Sequence, residues 1–181
     1  LRAELTARGI EITYANFPYR VVNVEGQIAL KDDGIEFHEM RARMWMKDGV
    51  ETAEEVPGQA PAEIWMNGMT DGYLRESAYK LYFDIRNLPV TPKLRAALQS
   101  GAQNVYDMFS PSGSVSGKVE VVKEPGPDLP IVHNIEMEMQ SCSATFKPFP
   151  YPVTDATGKI ILRGDDLRII GARCRHKDAW F

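Results

Sequence analysis

Several features that mark membrane spans and nucleic-acid-binding proteins are missing from this sequence. None of its apolar runs approaches about 18 residues, so no transmembrane helix is predicted, and no charged leader with an apolar core opens the chain. The 25 acidic and 21 basic residues are interspersed and leave a net charge of -4, so no broad cationic face is available to phosphates. We therefore expect no nucleic-acid partner.

Residues that carry catalysis or bind metals are also few. The chain has two cysteines and three histidines, and no histidine is paired at metal-ligand spacing with another His, a Cys or a run of carboxylates. No Gly-x-Ser-x-Gly elbow, Cys/His pairing or pair of catalytic carboxylates stands out, and the Ser-rich stretch 110–117 lacks the lysine of a phosphate-binding loop. The sequence therefore predicts a chain that is not an enzyme and that uses no metal or cofactor.

The two cysteines, Cys142 and Cys174, are expected to stay free and buried. In a meander their strands flank the strand predicted at 157–164, which separates them by roughly 10 Å, twice the strand spacing. A disulfide requires Cα atoms within about 7 Å of each other. We therefore predict no disulfide between them.

Alternation of apolar and polar residues with period two dominates the chain and predicts half-buried β-strands. It is clearest from Tyr79 to Ile85, where every second residue is apolar or aromatic. Apolar residues make up 44% of the chain, enough for a core in one domain or two small ones. Strands are expected at residues 4–15, 24–31, 34–47, 59–68, 75–86, 114–124, 131–147, 157–164 and 166–175.

One segment departs from this pattern. Thr91 can cap a helix, Pro92 suits its first turn, and apolar residues then recur three or four positions apart. The sequence predicts one amphipathic helix over 91–109. The expected fold class is mainly β (all-β or α+β), with curved antiparallel meander sheets, one helix packed on them, and a repeated unit.

A segment of about 46 residues occurs twice. At a shift of 132 positions, which aligns Phe17 with Phe149, 12 of 46 ungapped pairs are identical, whereas unrelated segments share about 3. The sequence therefore predicts a first repeat unit at 1–135 and the start of a second, truncated unit at 136–181. The residues that form the predicted structural motif are Phe17, Pro18, Tyr19 and Gly26 in the first copy, and Phe149, Pro150, Tyr151 and Gly158 in the second.

The alternation changes phase at aligned positions, Gly9 in the first copy and Ser141 in the second. One extra residue in a strand is a β-bulge, which bends the strand and increases its twist. We expect both copies to bend at these two positions. The acidic pairs at 32–33 and 165–166 are predicted to be hairpin turns and not metal sites.

The order Phe-Pro-Tyr, Val, Gly-x-Ile-x-Leu, an acidic turn and Arg resembles the repeat of AsmA-like envelope proteins, which include TamB-like and YhdP-like proteins. The likeness covers residues 4–47 and 136–181. It implies a long, curved β-groove whose apolar concave side carries phospholipid acyl chains across the periplasm. It also implies neighbouring repeats of the same chain as partners, and a location in the cell envelope on the periplasmic side of the inner membrane.

Two interpretations follow from the resemblance and from the residues. Because the chain starts at Leu1 without an initiator Met, we expect it to be a piece of a larger protein, membrane-anchored elsewhere, that acts in phospholipid transport or outer-membrane assembly. The alternative is a structural or protein-interaction β-module without lipid cargo. Methionine is common on adaptable apolar surfaces but also fills cores. The candidate apolar, lipid-facing residues are Met40, Met44, Met46 and Met66.

Overall fold

The computed structural model describes residues 2–15, 17–148, 151–164 and 166–181. These residues form a single open antiparallel sheet of eleven strands with two helices, and because 68% of the chain is strand, the predicted mainly β class is confirmed. The elements are β1 (Ala3–Tyr14), β2 (Phe17–Lys31), β3 (Gly34–Lys47), β4 (Val50–Thr52), β5 (Ala62–Asp71), β6 (Ala78–Pro89), α1 (Pro92–Ala97), α2 (Ser100–Phe109), β7 (Ser112–Lys123), β8 (Ile131–Phe146), β9 (Tyr151–Arg163), β10 (Asp166–His176) and β11 (Ala179–Trp180).

The strands follow one another as a meander. The order is β1-β2-β3-β5-β6-β7-β8-β9-β10-β11, and the short β4 pairs with the end of β3. Two predicted strands were too short: β2 begins at Phe17 and β9 at Tyr151, each well before the predicted start. The missed parts lie before bulges, where the alternation changes phase and the period-two pattern is interrupted.

The prediction of one helix over 91–109 was wrong, because the segment forms α1 and α2. Thr91 caps α1 as predicted, with its hydroxyl accepting a hydrogen bond from the Leu94 amide at 3.3 Å. The backbone is extended at Leu98 (φ -70°, ψ 154°) and again at Gln99, which ends one helix and begins the next. The interruption lets α1 lie against β2 while α2 lies against β8, five positions away in the sheet.

The two helices also differ in how they pack. Ala97 of α1 is buried in the main core and Leu94 packs beside it. In contrast, α2 buries none of its residues, and its contact with the sheet includes the ring of Phe109, whose centroid lies 5.1 Å from that of Phe146 on β8. The apolar stripe predicted over 91–109 is therefore fully packed on the sheet only along α1.

The predicted bulges are confirmed. The pairing of β1 with β2 shifts register between Ala7 and Ile10, and that of β8 with β9 shifts between Met139 and Cys142. The bulge residues themselves have left-handed backbones, with φ of 62° at Gly9 and 49° at Ser141. Asp32 and Asp33 form a turn between β2 and β3, as predicted, whereas Asp165 lies outside the described residues.

Strands β8, β9 and β10 pair with one another in the same register as β1, β2 and β3, when 132 is added to each residue number of the first group. Left-handed residues recur at this shift too, at Asn23 and Asp155 and at Glu39 and Gly171. The agreement fits the sequence alignment, but the repeated unit and its boundaries at 135 and 136 stay predictions. The matching pairs include Leu5–Ile28 with Met137–Ile160, Ile10–Val24 with Cys142–Ala156, and Ile28–Phe37 with Ile160–Ile169.

The first hairpin folds over the sheet to which it belongs. From Val24 onward β2 pairs with β3, whereas the preceding part of β2 pairs only with β1. The end of β1 and the start of β2 therefore form a tip that leaves the sheet. This tip reaches β6, four positions away from β1 in the sheet, where the hydroxyls of Tyr14 and Tyr79 lie 2.5 Å apart. Tyr19 and Val22 of the tip are buried against residues of β3, β5, β6 and β7, so the tip acts as a second layer over the core.

The bend at Gly26 yields a test of this packing. A Cβ at position 26 would lie 2.7 Å from the Cα of Met40, and the φ of 152° is strained for any other residue. We expect Gly26→Ala to lower the free energy of unfolding by about 2–5 kcal/mol. Urea denaturation measures it. The matched control is Gly101→Ala in α2, where a Cβ meets nothing within 4 Å, so the change should be neutral or stabilising by up to about 1 kcal/mol. Equal losses in both variants would contradict this account of the bend.

The apolar face as candidate functional site

One face of the sheet is lined by apolar residues from edge to edge. Alternate side chains of a strand point to the same face, and cross-strand partners lie side by side on it. Three neighbouring rows define what we call the apolar face. They are Leu5, Ile28, Phe37, Gly68, Leu81, Val121 and His133; Met40, Met66, Phe83, Val119, Ile135, Leu162 and Leu167; and Ile10, Val24, Ala42, Ile64, Ile85, Gly117, Met137, Ile160 and Ile169.

The opposite face is polar and carries cross-strand ion pairs. Such exposed pairs contribute only about 0–1 kcal/mol each to the free energy of unfolding. Their main consequence is that this face can lie against water. Arg86 also lies over the ring of Trp65, at 4.6 Å from its centroid. The ion pairs include Glu25–Arg41 (3.1 Å), Arg43–Glu63 (2.7 Å), Lys80–Glu120 (3.4 Å) and Glu136–Arg163 (2.6 Å).

The apolar face is covered at one part and open at another. Beneath the folded hairpin Met40 and Met44 are only 1% exposed. Toward β10 nothing in the described part of the chain covers the face, and Leu167 and Ile169 are 43% and 53% exposed. The chain exposes 11,468 Å² in total, about 30% more than the roughly 8,800 Å² expected for a compact monomer of 20.3 kDa. The excess is consistent with an open sheet whose apolar side is incompletely covered.

The four methionines singled out in the sequence all belong to this face, but in different surroundings. Met40 and Met44 are core residues and present almost no surface to a ligand. Met46 and Met66 are half-buried. Sequence reasoning missed that the accessible apolar surface is formed by leucines and isoleucines of β8, β9 and β10. The alternation of Leu167 and Ile169 on the last long strand was the available signal.

Tyr19 of the sequence motif lies in a buried polar cluster. Its hydroxyl donates a hydrogen bond to Glu51 Oε1 at 2.9 Å, and burial raises the pKa of Tyr19 above its usual range. Lys93 Nζ lies 2.8 Å from Glu51 Oε2 and 4.4 Å from the centroid of the Tyr19 ring. Burial alone raises the pKa of Glu51, but hydrogen bonds from Lys93, from the Glu51 amide and from Tyr19 outweigh it and hold that pKa below its usual value. The cluster joins β2, β4 and α1.

The second copy of the motif has different surroundings. Tyr151 is 37% exposed and stacks on His176, with ring centroids 3.7 Å apart, whereas Tyr19 stacks on Phe17 at 6.0 Å. Pro18 is exposed on β2. Gly26 and Gly158 both lie next to register shifts at aligned positions. Phe149 and Pro150 lie outside the described residues.

Two basic residues, Lys123 and His133, lie on the apolar face beside its open part, and sequence reasoning missed their position there. Lys123 is buried, and its ammonium group donates to the backbone carbonyls of Glu76 (3.0 Å), Ser77 (3.3 Å), Glu124 (3.3 Å) and Gly126 (2.9 Å), which joins two loops. His133 is half-buried opposite Val121, and burial lowers its pKa. Their positions in the apolar alternation of β7 and β8 were the available signal.

Side chains that could support other chemistry are scattered over the molecule. The part of the chain that the structure describes contains no group of three or more His, Cys, Asp or Glu side chains placed to hold a metal ion. Both cysteines are free, as predicted; Cys142 is buried, whereas Cys174 is only half-buried. None of the described helices has the length and apolarity that crossing a membrane requires.

His133 generates a prediction for the pH dependence of stability. Because its pKa is lowered in the folded chain, the unfolded chain binds more protons as pH falls below about 6.5, and acidification favours unfolding. We expect the wild type to lose stability relative to His133→Asn between pH 7 and pH 5. Urea denaturation of both proteins at several pH values measures this difference. Parallel stability curves for the two proteins would show that His133 titrates alike in both states.

In a comparison with known proteins, no family model, no curated protein and no solved structure matches this chain.

Proposed function

We propose that the chain is a non-catalytic segment of a large cell-envelope protein of AsmA-like type and that its apolar face holds phospholipid acyl chains. The observation that carries this proposal is the two-sided sheet. One face has an apolar row that crosses nine strands, and the other carries ion pairs. An acyl chain needs a continuous apolar surface, since each buried CH₂ contributes about 0.8 kcal/mol.

The open part of the face, on β8, β9 and β10, is the site we assign to the acyl chains. Ile135, Leu162 and Leu167 adjoin one another there, and Met137, Ile160 and Ile169 form the next row. Exposed apolar patches larger than a few hundred Å² mark interaction sites in soluble and membrane-associated proteins. A headgroup can remain in water beyond the outer edge of β10 while the acyl chain lies along the rows.

The proposed location and partners of the protein rest only on its sequence likeness to AsmA-like proteins. By that likeness the protein acts on the periplasmic side of the inner membrane, in phospholipid transport or outer-membrane assembly. Its neighbours are further repeats of the same chain, and its membrane anchor lies outside this segment. The Phe-Pro-Tyr motif and the spacing of Gly26 and Gly158 support this part of the proposal.

Two adjacent isoleucines of β10 provide a matched test of lipid binding. Ile169 is on the apolar face and 53% exposed, whereas Ile170 is on the polar face, opposite Lys159, and 51% exposed. A carboxylate in contact with an acyl chain is strongly unfavourable. We expect Ile169→Glu to weaken binding of a phospholipid labelled on its acyl chain at least about tenfold, or 1.4 kcal/mol, and Ile170→Glu to leave it unchanged. Fluorescence titration measures both affinities.

Thermal unfolding of the two variants provides the control for folding, because both side chains are already exposed and similar midpoints are expected. Lipid extraction of the purified wild type followed by mass spectrometry tests for lipid acquired in the cell. If the wild type binds no labelled lipid and carries none, or if both variants bind as it does, the acyl-chain site is wrong.

The second candidate function is a structural or protein-interaction β-module without lipid cargo. It is favoured by one observation at the outer edge of β10, where β11 is the one described strand that pairs and covers only the last residues. An exposed strand edge is a template for pairing with another polypeptide. A wild type that carries no lipid but binds a polypeptide at this edge would favour this candidate.

A further inference from the structure

The polar face of the sheet contains a groove of about 520 Å³ that extends across strands β5 to β9. Each of these strands is paired on both sides, so no further strand can enter the sheet there. Phe83 and Val119 border the groove although their side chains point to the apolar face, so the backbone of β6 and β7 forms its floor. Two neighbouring rows of polar-face side chains line it, and one row consists of Trp65, Asp84, Lys118 and Glu136. Pockets that bind small ligands usually measure about 300–1,000 Å³, so the groove has a suitable size.

Two aromatic rings border the groove on adjacent strands. Trp65 of β5 is half-buried, and Tyr82 of β6, in the neighbouring row, is 47% exposed. Arg86 lies 4.6 Å from the centroid of the Trp65 ring, and Lys80 lies 5.2 Å from that of the Tyr82 ring. These two cations belong to the rows on either side of the groove, so they contact the rings from outside it. The inner side of each ring is left to a ligand.

Several hydrogen-bonding groups of the groove have no partner in the described part of the chain. They are the indole N–H of Trp65, the ammonium group of Lys118 and the amide nitrogen of Asn67, whose oxygen accepts a backbone amide at 2.8 Å. The amide nitrogen of Asn134 donates to Glu120 at 2.8 Å, which leaves the Asn134 oxygen as an acceptor. Donors and acceptors are thus both available along the two rows.

The charges around the groove disfavour an ionic ligand. Lys118 lies between Asp84 and Glu136 in its row, so an anion at Lys118 would approach two carboxylates. A cation at either carboxylate would in turn approach Lys118, and Glu136 is already paired with Arg163 at 2.6 Å. Like charges within a few ångströms repel each other. A hydroxyl group avoids this cost, because it both donates and accepts hydrogen bonds without carrying a charge.

We propose that the groove binds a neutral saccharide. A pyranose ring has an apolar side of C–H groups, which the negative face of an aromatic ring attracts, and hydroxyl groups around that side. The C–H side would lie against Trp65 and Tyr82. The hydroxyls would accept hydrogen bonds from Lys118 and Asn67 and donate to Asp84. This site lies on the opposite face of the sheet from the one assigned to acyl chains, so the two proposals do not depend on each other.

NMR titration with neutral disaccharides tests the proposal, and the probes are maltose, cellobiose, lactose and N,N′-diacetylchitobiose. The chain has three tryptophans, and the variant Trp65→Phe identifies the indole N–H resonance of Trp65 by its loss. We expect at least one probe to shift this resonance saturably and to leave those of Trp45 and Trp180 in place. The phosphorylated form of that disaccharide should bind at least about tenfold more weakly, because its phosphate meets the carboxylates.

Two tyrosines provide matched variants. Tyr82 is 47% exposed in the groove, whereas Tyr73 is 52% exposed in the loop between β5 and β6. We expect Tyr82→Ala to weaken disaccharide binding at least about tenfold and Tyr73→Ala to leave it unchanged. Thermal unfolding provides the control for folding, because both side chains are already exposed and similar midpoints are expected.

Labelled phospholipid should bind Tyr82→Ala as it binds the wild type, which separates this inference from the acyl-chain proposal. The saccharide site is wrong if no disaccharide shifts the Trp65 resonance or if the two tyrosine variants bind the disaccharide alike. Tighter binding of the phosphorylated form than of the neutral one would also overturn it.

Discussion

A sheet with one apolar face is unstable in water unless that face is covered, and here the covering depends on where the strands bend. The bulges at Gly9 and Gly26 and the left-handed backbone at Asn23 turn the first hairpin out of the sheet. Its tip then buries Tyr19 and Val22 against the strands from which it departed. The equivalent hairpin of β8 and β9 has the same bulges, at Ser141 and Gly158, but its tip leaves Tyr151 exposed. Equivalent bends thus cover one part of the face and leave the other part open.

Polar side chains in the covered part stabilise the arrangement through contacts that join separate elements. Glu51 receives hydrogen bonds from both Tyr19 and Lys93, and so connects the folded hairpin to α1. At the other end of the sheet the buried ammonium group of Lys123 satisfies carbonyls of two loops. A buried charge is costly without partners, and both charges have several. The open part of the face, in contrast, contains His133, whose lowered pKa reflects the apolar surroundings.

Local pattern was sufficient to predict much of this fold and little of its site. Alternation located the strands, and its phase change located the bulges at Gly9 and Ser141. The break at Leu98 was not predictable from the apolar stripe, since it depends on α1 and α2 packing on strands that are distant in sequence. The burial of Met40 and Met44 depends on the folded hairpin, which is a tertiary effect.

An acyl-chain site on the apolar face is compatible with a further strand at the outer edge of β10, because of the geometry of antiparallel pairing. A strand added to β10 lies in the plane of the sheet, so its backbone covers the edge and neither face. Its alternate side chains would extend the rows that end at Leu167 and Ile169, and its other side chains would face Arg168 and Arg173. The apolar face would therefore be lengthened by such a strand and not blocked. In such an assembly the width of the apolar surface depends on how many strands pair at this edge.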